Sequence, residues 1–216
     1  MPLKTTLRGL LEEGHFEEIA DLAAERRRVL PSLVSLTFDA DPQIGWRAVE
    51  ALGQAAQRVA QEDPDYVREH LRRLYWLISE ESGGICWHAP EAMAEIVRHE
   101  PGLFADYLPI VVHLIVSIEK EDLEHFRAGT LWAIGRLGPL AGDYVEDVHG
   151  AVAAALDDPD AQVRGTAAWC LGRVGQVSTL ADRSDLLSDG GAVALYEEGV
   201  LERTSVGELA RRALSA

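Results

Sequence analysis

Residues 163–172 read VRGTAAWCLG, from Val163 to Gly172, and the same register returns along the chain. Residues 44–53 read IGWRAVEALG, residues 85–94 ICWHAPEAMA and residues 126–135 FRAGTLWAIG, while residues 206–215, VGELARRALS, keep the skeleton more loosely. The starts at Ile44, Ile85, Phe126, Val163 and Val206 recur about every 40 residues, a period that belongs to arrays of helical hairpins. Counting each first residue as position zero, positions zero, four, seven and eight are apolar or small almost throughout. Position four holds Ala48, Ala89, Thr130, Ala167 and Ala210; position eight holds Leu52, Met93, Ile134, Leu171 and Leu214. At about 100° per residue these positions share one arc of roughly 100°, the buried stripe of an amphipathic helix. Small residues at four and seven let a neighbouring helix come close.

Each segment has a helical partner before it, with apolar residues at helical spacing over 29–37, 65–79, 102–118 and 144–156. Breakers separate the two: Asp39 to Pro42, Ser82-Gly83-Gly84, the acidic stretch 119–124, and Asp157-Asp158-Pro159. Aspartate and proline there predict caps that satisfy the free N–H groups opening the second helix. One hairpin cannot bury its own apolar face, whereas stacked neighbours can. The expected fold is therefore all-α, a right-handed α-α superhelix closed by a small C-terminal β-hairpin and helix. A single repeat domain over 1–216 is expected, with opening helices over 1–28, four hairpins over 29–175 and a cap over 176–216. In that cap, 192–196 and 200–204 flank Glu197-Glu198-Gly199 as a hairpin. Ser205 and Glu208 then form a capping box for the last helix.

The pattern V-R-x-x-A-A-x-x-L-G, as Val163 to Gly172 shows it, resembles the HEAT-like repeats first recognised in phycobilisome-lyase-related proteins, over about residues 29–175. The stretch from Glu81 to Trp87, continued by Pro90-Glu91-Ala92, also resembles the signature of a small bacterial HEAT-like family. The resemblance implies the solenoid architecture and a concave surface lined by second helices.

Composition sets bounds on function. Thirty-six acidic against 20 basic residues give a formal net charge of −16, which repels nucleic acid and anionic membranes at long range. The longest apolar run, Leu108 to Val116, is interrupted by His113 and is short for a membrane span. With no export signal in its first residues, the chain is expected in the cytoplasm, with Cys86 and Cys170 as free thiols.

Positions two and six lie opposite the buried stripe and are expected to face the groove. Trp46 and Trp87 hold position two, and Trp132 and Trp169 hold position six. Glu50, Glu91, Arg136 and Arg173 are the polar candidates beside them. Two readings stand together: an aromatic groove with hot-spot chemistry, or indoles packed between adjacent second helices. The Ser82-Gly83-Gly84 loop with His88 and Glu91 is the least repeat-like place. Pro90 predicts that the second helix there begins near Ala89 with the proline in its first turn.

His88, Glu91, Glu95 and His99 share one helical stripe, expected to be solvated rather than a metal site. HEAT-like di-iron hydroxylases carry a His-Glu pair at positions two and three. Here those positions hold Trp46-Arg47, Trp87-His88, Ala128-Gly129 and Gly165-Thr166, so neither metal nor cofactor is expected. HEAT-like DNA glycosylases pair tryptophans with a basic face, which the acidic second helices here fit poorly. The expected function is a protein- or peptide-binding scaffold or assembly factor. The alternative is a DNA-base or small-molecule site around Trp87, His88 and Glu91.

Overall fold

The computed structural model of the chain describes residues 2–78, 88–120, 123–142 and 144–215. They are helical apart from turns and one two-stranded sheet, so the fold class is all-α. The chain forms two compact units, 1–105 together with 196–201, and 106–195 together with 202–216.

The first unit opens with α1 (Leu3–Glu13) and α2 (Phe16–Glu25), followed by the hairpins α3 (Val29–Leu36) with α4 (Pro42–Ala60) and α5 (Pro64–Ile78) with α6 (Ala89–His99). A short α7 (Pro101–Phe104) ends its helices. The Gly14 backbone at φ 77°, a left-handed conformation open to glycine, ends α1. Asp41 opens α4 by accepting from the Gln43 N–H at 2.9 Å, with Pro42 in the first turn. Helix α4 packs on α2, α3, α5 and α6 and buries Ile44, Ala48 and Leu52, the expected stripe. As expected, α6 begins at Ala89 with Pro90 in its first turn. The Ser82-Gly83-Gly84 loop and Trp87 lie outside the described residues.

The second unit contains the hairpins α8 (Leu108–Lys120) with α9 (Arg127–Leu137) and α10 (Tyr144–Ala154) with α11 (Ala161–Arg173). Two single-turn helices, α12 (Ser178–Ala181) and α13 (Ser184–Leu187), lead on to the sheet and α14 (Val206–Ser215). Asp160 caps α11 as Asp41 caps α4, accepting from Gln162 N–H at 2.9 Å. Ser205 Oγ accepts from Glu208 N–H at 3.3 Å at the start of α14, the expected capping contact. The apolar stretch 102–118 does not run as one helix. A 3-10 turn at Ala105–Tyr107 interrupts it, because Pro109 lacks an N–H and belongs in a first turn. Among the described residues Pro101–Ile118 is long and apolar enough to cross a membrane by length and composition alone. Val111, Val112, Leu114, Ile115 and Ile118 are nevertheless buried, as in a core helix. Cys170 is a buried free thiol whose pKa burial pushes up to about 12.

Strands β1 (Ala192–Glu197) and β2 (Val200–Ser205) form the hairpin, turning through Glu198 and Gly199 at φ 45° and 81°. Two successive positive φ values suit the right-handed twist of a tight hairpin. Its tip, residues 196–201, belongs to the first unit and the rest of it to the second.

The glycine at position nine marks where second helices touch. A Cβ on Gly53 of α4 would stand 2.8 Å from the Glu95 carbonyl oxygen of α6. On Gly135 of α9 it would stand 2.3 Å from Trp169 Cζ3 of α11, and on Gly172 of α11, 2.7 Å from Ala213 Cβ of α14. Neighbouring second helices thus approach too closely for any side chain at these points.

Candidate binding site

The expected site residues fall into two groups, one per unit. Trp46, Glu50, His88 and Glu91 lie in the first; Trp132, Arg136, Trp169 and Arg173 lie in the second.

In the first unit, the close approach at Gly53 sets α4 beside α6. Positions two and six of α4 do not face open solvent: the hairpin tip lies on them. Tyr196 stacks on Trp46 with ring centres 5.5 Å apart and planes 11° from parallel. Glu50, 6% exposed, accepts from the Tyr196 hydroxyl at 2.5 Å and from the Gly199 N–H at 2.9 Å. Burial pushes the Tyr196 pKa well above the ordinary value, and the hydrogen bond and charge of Glu50 add to it. One turn earlier, Gln43 donates to the Gly199 carbonyl at 2.7 Å and accepts from the Leu201 N–H at 2.9 Å. Arg47 donates to the same Gly199 carbonyl at 2.9 Å and to the Leu11 and Glu12 carbonyls at 2.8 and 2.7 Å. Helix α4 therefore reads a tyrosine and three backbone groups of a polypeptide turn.

Helix α6 carries the stripe of His88, Glu91, Glu95 and His99, and here the expectation of a solvated face fails. Glu91 is 3% exposed and Glu95 fully buried, because α4 and α5 both pack on α6. Glu95 accepts from Arg98 Nη2 at 2.9 Å, while His99 Nδ1 lies 2.9 Å from the Glu95 carbonyl oxygen. His88 Nδ1 lies 3.1 Å from Glu91 Oε1, and its ring meets Trp46 edge-on at 4.7 Å. Burial disfavours the charged form of His88, but the charge and hydrogen bond of Glu91 outweigh it and raise the pKa. Among the described residues the other oxygen, Glu91 Oε2, is buried without a hydrogen-bond partner. A buried acceptor left unmet costs about 1–3 kcal/mol, more when charged. No group of three or more His, Cys, Asp or Glu among the described residues could hold a metal ion.

In the second unit the four residues form a packed ladder. Trp132 and Trp169 are 2% and 6% exposed and stack with centres 6.4 Å apart at 15°. Arg136, also buried, sits over the Trp132 ring at 5.4 Å, and the exposed Arg173 over Trp169 at 6.0 Å. These indoles pack α9 against α11, the second of the two readings made from the sequence. The fifth tryptophan, Trp76 on α5, is 60% exposed.

Sequence reasoning missed Gln43, Arg47, Glu95, Tyr196 and Gly199 as partners at this site. The hairpin was legible from its turn, but nothing local links it to a helix about 150 residues earlier.

Residues 124–174 match the sequence profile of the HEAT-like repeat. A protein of Archaeoglobus fulgidus described only as uncharacterised is 29% identical over 111 residues, 51% of this chain and 55% of that protein. The match thus spans about half the length of this relative. The matched stretch is HEAT-like, and such repeats serve generally as protein-interaction scaffolds.

Proposed function

We propose that the chain is a protein- or peptide-binding scaffold, of the assembly-factor kind, that uses the faces of its second helices. The observation that carries this reading is the grip of α4 on the hairpin tip. Gln43, Trp46, Arg47 and Glu50 together hold one aromatic ring, the N–H and carbonyl of Gly199 and the N–H of Leu201. A helix face that satisfies the backbone of a turn is chemically equipped for polypeptide, whose backbone groups must be paired wherever they are buried. The acidic balance of the chain directs it away from nucleic acid and towards partners with basic surface.

The test is affinity capture from the native cell at moderate salt, with the full chain and a Trp46→Ala variant matched for helicity. A defined partner that is retained by the parent and lost from the variant is expected. An identical captured set with both proteins, or none with either, overturns the reading.

One observation favours a second reading, a small-molecule or nucleobase site around Trp87, His88 and Glu91. His88 pairs with a buried carboxylate, an arrangement that can pass a proton. Fluorescence titration with single-stranded and duplex DNA, together with metal analysis of the purified chain, tests it. Absence of salt-sensitive DNA binding and of stoichiometric metal would remove both versions.

A further inference from the structure

We propose that the open pocket between Gln54 of α4 and the start of α2 docks a basic, extended peptide segment of a partner protein, its backbone on the Gln54 amide and its cations on Glu17 and Glu18. The inference rests on the scaffold reading and specifies where the partner lies and what chemistry it brings.

Side-chain amides hold backbone twice in this protein. Gln43, the residue before Ile44, donates to the Gly199 carbonyl and accepts from the Leu201 N–H. Gln162, the equivalent residue before Val163, donates to the Ala194 carbonyl and accepts from the Ala194 N–H, both at 2.9 Å. A glutamine amide offers a donor and an acceptor together, the pair that an extended strand presents along its edge.

Gln54 is a third such amide, on the stripe of α4 that reads the hairpin tip. Trp46, Arg47, Glu50 and Gln54 follow Gln43 by 3, 4, 7 and 11 residues. At about 100° per residue all five share an arc of about 100°. The tip engages the first four, whereas Gln54 stands one turn past Glu50, about 6 Å along the axis. Half-buried, its amide makes no hydrogen bond among the described residues. It lines an open pocket of about 440 Å³ with Gly14, His15, Phe16, Glu17 and Glu18. Phe16 joins the two places, since it walls the pocket and a Cβ on Gly199 of the tip would stand 3.6 Å from its Cε2. The face that reads the tip therefore runs on into a pocket, with a donor and an acceptor left over.

Charge selects the segment. Glu17 and Glu18 are exposed on the pocket, and Glu17 forms no ion pair among the described residues. His15 lies between Glu18 and Glu13, at 3.1 and 3.5 Å. In a chain of net charge −16 this pocket draws in a basic segment and turns away an acidic one. An anion drawn to the N–H groups that open α2 would meet Glu17 and Glu18 in the same turn. The half-buried Phe16 ring suits the methylene stem of a lysine or arginine.

The experiment titrates the full chain with three end-blocked peptides: Gly-Lys-Gly-Lys-Gly, the same peptide methylated on every backbone nitrogen, and Gly-Glu-Gly-Glu-Gly. Calorimetry gives affinity, and the Gln54 side-chain amide resonances report occupancy. The basic peptide is expected to bind at least tenfold more tightly than the acidic one and to shift those resonances. Methylation, which removes the N–H that Gln54 accepts from, is expected to lower affinity at least fivefold, and so is Gln54→Ala. Glu146→Gln, which removes an exposed charge in the second unit, is expected to leave affinity unchanged. A basic peptide that binds no better than the acidic one, a methylated peptide that binds as well as its parent, or Gln54→Ala that behaves as Glu146→Gln does would each overturn the site. If the site fails while affinity capture still retains a partner lost with Trp46→Ala, the scaffold reading survives; if both fail, neither stands.

Discussion

At the residue scale, two histidines of the first unit carry opposite pH signatures. His70 of α5 is 5% exposed, with Nδ1 3.0 Å from the Tyr66 carbonyl oxygen, and burial lowers its pKa from 6.5 despite that bond. The unfolded chain takes up this proton first. The stability His70 contributes as a neutral ring is therefore lost as pH falls below about 6.5 towards its folded pKa. His88 behaves the other way, since burial opposes its charge but Glu91 raises the pKa overall. Its contribution is complete below about 6.5 and is lost as pH rises through the folded value. Ring-proton titration is expected to place His88 above 6.5 and His70 below it, and His70→Gln to flatten the acid-side loss seen in urea melts. A titration with the order reversed would remove the Glu91 pairing from the account. The sequence placed His88 and Glu91 on one stripe correctly, since their spacing along a helix is local geometry. It misjudged their surroundings, because a polar residue opposite an apolar stripe reads as solvated until the neighbours of the helix are known.

At the scale of the element, the repeat register predicted the helical hairpins, the Asp41-Pro42 opening of α4 and the start of α6, whereas α11 opens on Asp160, just after the expected Asp157-Asp158-Pro159. All of these depend on residues a few positions apart. The crossing of the second helices was present in the same letters, in the glycine that ends IGWRAVEALG, FRAGTLWAIG and VRGTAAWCLG, but its meaning needs the partner surface. Gly135 shows this most sharply. A Cβ there would meet Trp169 Cζ3 at 2.3 Å, and that ring is held between the stack on Trp132 and the guanidinium of Arg173. With no slack to absorb a methyl group, Gly135→Ala is expected to cost about 1–3 kcal/mol. The comparison is Gly150→Ala on α10, an exposed position with nothing within 4 Å of the new carbon. There the loss of glycine's backbone freedom is expected to add about 0.5–1 kcal/mol of stability. Urea melts of the two variants should move in opposite directions. Movement in the same direction would mean that the indole stack yields, and that α9 and α11 are not set by this contact.

At the scale of the whole molecule, the path of the chain matters more than its period. The first unit is not a continuous segment: residues 1–105 are joined by the hairpin tip, 196–201. Tyr196 is fully buried there, and the tip provides both donors to Glu50 and both partners of the Gln43 side chain. A fragment ending at residue 105 would thus keep the buried carboxylate of Glu50 and lose what satisfies it. Breaking such charge-assisted bonds costs about 1.5–3 kcal/mol each, a large part of the stability of a small domain. The fragment is expected to unfold at lower urea than the parent and over a broader range. A synthetic peptide of residues 192–205 should restore the transition in proportion to its concentration. Ligand linkage gives about 2.7 kcal/mol at a hundred times the dissociation constant. A Tyr196→Phe peptide, lacking the hydroxyl that Glu50 accepts from, should need a higher concentration for the same shift. If the midpoint of the fragment ignores both peptides, the tip is a passenger on α4, and the polypeptide-reading face on which the proposed function rests loses its support.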